Sequence, residues 1–105
     1  MATIESEAEE ARRKKGYAEF LRVPAMSVGV YVLAVGGVDH QTPHAEDEVY
    51  YVVRGAARFR KGEEEQKITA GDVLFVAARE PHRFHSVTEE LVVLVVFAPA
   101  ESSPS

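Results

Sequence analysis

Between Tyr17 and Ala98 the chain is a succession of short apolar or alternating stretches, cut at close intervals by glycine, proline and acidic residues. Val28, Val30 and Val32 alternate with Tyr31, Leu33 and Val35, and both sets are apolar. A strand covered on both faces reads this way, inside a sandwich or at a subunit contact. Gly36 and Gly37 break it. Residues 48–54 and 57–60 read as two short strands around a turn at Gly55. A turn at 61–63, a brief strand at 66–69, a turn at 70–72 and a strand at 73–77 follow. Pro81 biases Glu80 towards extended or turn geometry. After it come strands at 82–87 and 91–98, separated by Thr88, Glu89 and Glu90. Closely spaced short strands with turn signals between them predict an all-β sandwich or barrel, not βαβ units.

The ends differ in texture. Residues 4–15 are rich in Glu, Ala, Lys and Arg, with Ser6 and Glu9 spaced as a capping box and Glu9–Arg13 and Glu10–Lys14 as helical ion pairs. With almost no apolar stripe, residues 1–16 are expected to be a short solvated helix or a disordered tail. Residues 17–100 form the barrel, and the polar residues 101–105 are expected to be a disordered tail.

Size and charge narrow the function classes. A chain of 105 residues, 46% hydrophobic, suits one domain with one core. A net charge of -5 and a pI near 5.3 argue against a nucleic-acid partner. The absence of cysteine removes disulfides, thiolate catalysis and thiolate metal sites. The N-terminal stretch has no apolar core of a secretory signal, and the apolar run at 91–100 is too short for a helical membrane span, so a cytoplasmic protein is expected. The two-faced apolar strands at 28–35 and 91–97 exceed what one small barrel buries, and a homodimer is expected.

Strand parity singles out the candidate chemistry. Thr42, His44, Glu48, Tyr50 and Val52 have one parity, and in extended chain they share a face. An imidazole and a carboxylate there are costly to bury unpaired, and a shared divalent cation offsets that cost. His82 opens a later strand, with Phe84 and Ser86 expected on its face and His85 on the other. Asp47 is expected to point outward. Tyr50 is a candidate catalytic or substrate-orienting group, against the commoner case of a hydrogen-bonded structural tyrosine. His40 lies further out, after the double glycine. Residue counting alone leaves open whether these histidines are ligands or ordinary hydrogen-bonded side chains.

The two stretches resemble the paired motifs of the cupin superfamily. The first motif is glycine, five residues, His-x-His, three residues, Glu, six residues, glycine. Gly36, Thr42, His44, Glu48 and Gly55 fall on that spacing, with Thr42 in the first-His position. The second is glycine, five residues, Pro-x-Gly, two residues, His, three residues, Asn. Gly71 and His82 match it, while Ala77, Arg79 and Ser86 replace the Pro, Gly and Asn. The resemblance covers residues 28–98 and implies a double-stranded β-helix, or jelly-roll barrel.

It also implies one divalent metal ion (iron, manganese, nickel or zinc) held by His44, Glu48 and His82, with His40 as a possible fourth ligand. Two histidines and a carboxylate are the ligand set of non-haem iron oxygenases. The leading expectation is therefore a metal-dependent enzyme acting on a small organic substrate, with oxygenase-type chemistry slightly preferred. The alternatives are a non-catalytic cupin that binds or senses a small molecule, and a sugar isomerase.

Overall fold

A computed structural model describes residues 2–40 and 43–102. The N-terminal segment is helix α1 (Ile4–Arg13). Its cap is Thr3, not Ser6: the Thr3 hydroxyl accepts the Ser6 N–H, and the Ser6 hydroxyl accepts the Thr3 N–H. Of the two expected ion pairs, Glu10–Lys14 forms at 3.5 Å, while Glu9 pairs with Arg12 instead of Arg13, and Arg13 reaches Glu10. The helix is not solvated all round. Ala8 and Ala11 are fully buried against Val30, Val32 and Val92. Arg12 reaches Glu90, and Arg54 reaches Glu5, on either side of that contact.

Six strands follow: β1 (Tyr17–Val23), β2 (Met26–Leu33), β3 (Asp47–Lys61), β4 (Glu64–Thr69), β5 (Val73–Val76) and β6 (His82–Ala98). All pair antiparallel, in the order β1-β2-β6-β3-β4, with β5 also on β3. The all-β expectation holds. The two long strands differ from it in detail. β3 is one strand, not two around a turn: residues 47–52 pair with the end of β6 and with β5, and residues 56–61 pair with the start of β6 and with β4.

Gly55 is the bend between those halves. It has a φ of +105°, and a Cβ there would lie 2.2 Å from the Glu90 carbonyl oxygen. The register slips on either side of it, so the inward set passes from Glu48, Tyr50 and Val52 to Ala57 and Phe59. β6 is likewise continuous, because Glu89 still pairs with Ala56 where a turn was expected. Its own switch is Ser86, with φ +52°, after which the inward residues are Val87, Leu91, Val93, Val95 and Phe97. Ser86 is therefore exposed and does not share the face of His82 and Phe84. Each long strand crosses from one layer of the barrel to the other through an extra residue, the usual effect of a bulge.

Two further expectations change. The outer face of β2 and β6, expected to be covered inside a sandwich or at a subunit contact, is packed against α1 of the same chain. The polar C-terminus is not loose at its start. Glu101 is buried, its N–H donates to Ser27 Oγ at 2.9 Å, and its carbonyl accepts from Arg22 Nη2 at 2.7 Å. Ser102 donates from N–H and hydroxyl to the buried carboxylate of Glu46. Residues 103–105 lie outside the described residues.

Candidate metal centre

The inward faces of β3 and β6 place the site. Glu48 and Tyr50 sit on the first half of β3, two residues apart and both buried. His82 opens β6, buried, while its neighbour Arg83 is exposed. His44 lies in the segment leading into β3, held there because its carbonyl accepts the Arg79 N–H at 2.6 Å. Arg79 stands where the second motif carries glycine, and Ser86 where it carries asparagine. Their φ values, +64° and +52°, are in the left-handed region those residues favour. The backbone of the motif thus survives both substitutions.

Both imidazoles present the same edge to the interior. His82 Nδ1 donates to the Glu80 carbonyl at 2.8 Å, which leaves Nε2 as the acceptor of the Tyr50 hydroxyl at 2.9 Å. His44 Nδ1 faces Glu101 Oε2 at 3.2 Å, and its Nε2 is enclosed with no hydrogen-bond partner among the described residues. Glu48 Oε1 lies 3.5 Å from His82 Nε2, too long for a hydrogen bond. Neither oxygen of that buried carboxyl has a partner of ordinary geometry among the described residues. Burial pushes the Glu48 carboxyl up from its usual range, and the Tyr50 hydroxyl and the two imidazoles only partly offset this.

Three expected ligands therefore face one another with orphaned buried polar atoms between them. They do not stand in coordinating geometry: the two imidazole centroids are 6.5 Å apart, and no three such side chains among the described residues converge on one point. The Tyr50 hydroxyl occupies the position at His82 Nε2. His40 does not join them. It is exposed on the rim of a cavity of about 180 Å³ walled by Tyr17, Tyr31, Leu33, Val95 and Phe97. The slack after the double glycine is taken up by the residue before it. Asp39 is buried, accepting the Tyr31 hydroxyl at 3.0 Å and the Phe84 N–H at 2.9 Å, so His40 is turned outward. Thr42 lies outside the described residues.

The remaining expectations fall on the outside. His85 pairs with Glu65 on β4, and Asp47 is exposed, accepting the Ala78 N–H. Arg79 is exposed as well. Phe97 packs edge-on against His44, with centroids 4.9 Å apart, and so separates the imidazole from the cavity. Tyr17, on the cavity wall, has an enclosed hydroxyl with no partner among the described residues, and burial raises its pKa.

Comparison with known proteins agrees with this architecture. The sequence profile of the cupin domain matches residues 29–97, both motifs included. The chain belongs to the cupin family. The uncharacterized protein SCO3923 of Streptomyces coelicolor is similar to this cupin at 49% identity over 98 residues, covering 93% of each chain. TT1209 of Thermus thermophilus is similar in structure, with a TM-score of 0.75 and 26% identity, over 95% of this chain and 97% of that one. A predicted oxalate decarboxylase of Thermotoga maritima, tm1287, superimposes with a TM-score of 0.67 at 25% identity, over 79% of this cupin and 78% of that chain. No helix among the described residues is long and apolar enough to cross a membrane.

Proposed function

We propose that this cupin is a cytoplasmic metalloprotein that holds one divalent ion with His44, Glu48 and His82 and acts on a small organic substrate. The observation that carries the reading is the set of buried, unpartnered polar atoms these groups turn towards one another. Among the described residues, His44 Nε2 and both Glu48 oxygens are buried without a hydrogen-bond partner of ordinary geometry, and leaving such groups unsatisfied costs about 1–3 kcal/mol each. An imidazole–carboxylate set fits iron, manganese, nickel or zinc. A bound ion supplies Lewis acidity, or dioxygen activation if it is iron.

The chain's own residues do the rest. Glu80 and Glu101 hold the outer nitrogens of the two imidazoles, so that both inner nitrogens keep their lone pairs. Tyr50, which donates to His82 Nε2, turns its hydroxyl from the nitrogen to a substrate when the nitrogen is engaged. The cavity beside Phe97 gives a small organic molecule a mainly apolar wall, with Lys15 and His40 at its edge as polar contacts. The ligand set favours oxygenase-type chemistry over sugar isomerisation; the structurally similar tm1287 is a predicted oxalate decarboxylase.

One observation favours a second reading, a non-catalytic binding module: the Tyr50 hydroxyl already satisfies the inner nitrogen of His82. Metal analysis of protein purified without chelator separates the two. The expected result is close to one divalent ion per chain, falling by at least tenfold in His44→Ala and in His82→Ala. Equal metal content in wild type and both variants rejects the ligand assignment. Oxygen uptake by the iron-loaded protein with thiols, diketones or phenols supports an oxygenase; ligand-induced melting shifts without turnover support the binding module.

A homodimer belongs to the same proposal, now on a different face. Val49 and Tyr51 on β3 pair with Phe75 and Val73 on β5, and all four are exposed. We expect light scattering at micromolar concentration to give twice the chain mass of 11.6 kDa, and Phe75→Glu to halve it. A monomeric wild type rejects the dimer.

A further inference from the structure

We infer that Glu101, carried on the C-terminal segment, is the positioning residue for His44. It fixes the ring tautomer that presents Nε2 to the site. The inference rests on the reading of His44 as a ligand, and it adds a residue that lies outside both motifs and outside the matched residues 29–97.

The argument is one of donors and acceptors. His44 and Glu101 are 8% and 3% exposed, and Nδ1 lies 3.2 Å from Glu101 Oε2. A carboxylate oxygen accepts, so the hydrogen is on Nδ1. The opposite tautomer puts a hydrogen on Nε2, where no acceptor stands among the described residues, and leaves Nδ1 facing the carboxylate lone pair to lone pair. His82 needs no such distant help, because the Glu80 carbonyl two residues earlier takes its Nδ1–H at 2.8 Å. Among the described residues, His44 has no equivalent acceptor in its own turn. Its backbone is fixed by Arg79, but its ring is held by the far end of the chain.

Glu101 is itself held firmly enough for that task. Its N–H donates to Ser27 Oγ, its carbonyl accepts from Arg22, and Ser102 is tied to Glu46 next to β3. The last described residues are therefore a clasp across β1, β2 and the segment before β3, with the acid of the clasp aimed at the ligand. Acceptors in this outer position typically change metal affinity by about 10–100-fold when removed.

The test uses metal-free, nitrogen-15-labelled full chain and long-range proton–nitrogen correlation of the His44 ring. Wild type is expected to show the hydrogen on Nδ1. Glu101→Ala is expected to move it to Nε2 or into exchange, and Glu101→Gln, whose side-chain carbonyl still accepts, to restore the wild-type pattern in part. Zinc affinity by calorimetry is expected to fall about 10–100-fold in Glu101→Ala, with partial recovery in Glu101→Gln. A wild-type ring with its hydrogen on Nε2, or an Nδ1–H ring unchanged in both variants, overturns the inference. Wild-type protein that shows the expected tautomer yet binds no zinc, manganese, nickel or iron overturns the metal reading instead, so the two failures are distinct.

Discussion

Gly55→Ala is expected to cost roughly 4 kcal/mol or more, and to lower the melting temperature by at least about 15 °C or prevent folding altogether. A domain of this size has only about 5–15 kcal/mol in total. The reason is geometric. An added Cβ would stand 2.2 Å from the Glu90 carbonyl oxygen and 2.7 Å from Leu91 Cα, both backbone atoms of β6. Neither can rotate away. The φ of +105° adds backbone strain for any residue with a side chain. The bend is also what turns Glu48 and Tyr50 towards the same interior as Phe59 and Phe84, so the site goes with it. Gly62→Ala is the control: φ is +59°, nothing lies within 4 Å, and the expected loss is only about 1 kcal/mol. Thermal melting by circular dichroism compares the two. Equal losses would mean that β3 and β6 do not cross as closely as described.

Glu48→Gln is expected to act in opposite directions on the metal-free and metal-loaded protein. Burial raises the folded-state pKa of Glu48 above its unfolded value. Its contribution to stability is then full below the unfolded value and is lost as pH rises through the folded one. The metal-free wild type should accordingly lose stability as pH climbs out of the ordinary carboxyl range. Gln, which does not ionise, should remove that slope and be more stable at neutral pH by about 1–3 kcal/mol. With a divalent ion present the order reverses. The ligand form of Glu48 is the carboxylate, so wild-type affinity rises with pH, and Glu48→Gln loses about 100-fold or more. Urea titrations from pH 4 to pH 8, with and without zinc, check both arms. A metal-free wild type with a flat profile, or a Gln variant that binds zinc as tightly as wild type, contradicts the assignment of Glu48.

The barrel was legible because its inward residues keep strict alternation within each half-strand, and because glycine, proline and acidic clusters mark every interruption. What those marks do not say is whether the chain reverses or merely bulges. Gly55 and the Thr88–Glu90 region look like turns in sequence, yet β3 and β6 run through both. The docking of α1 was hidden for a related reason. Its contact is made by Ala8 and Ala11, whose small side chains create no visible stripe yet let the helix lie close on Val30 and Val92.

His44, Glu48, Tyr50 and His82 were legible from parity and motif spacing. The groups that hold them were not. Asp39 works through Tyr31 and Phe84, and Glu101 through His44, partners far away in sequence. A lone acid in a polar loop or tail carries no pattern until its partner is known. Tyr17 was passed over for the same reason, since nothing local shows that its side chain lines a cavity with its hydroxyl enclosed.

The most direct measurement is a crystal structure of protein soaked in manganese or zinc, with anomalous scattering recorded at the metal edge. The account predicts one strong peak bounded by His44 Nε2, His82 Nε2 and the Glu48 carboxylate, with the Tyr50 hydroxyl displaced from His82. A peak elsewhere on the molecule, or an undisturbed Tyr50–His82 hydrogen bond at saturating metal, would contradict it.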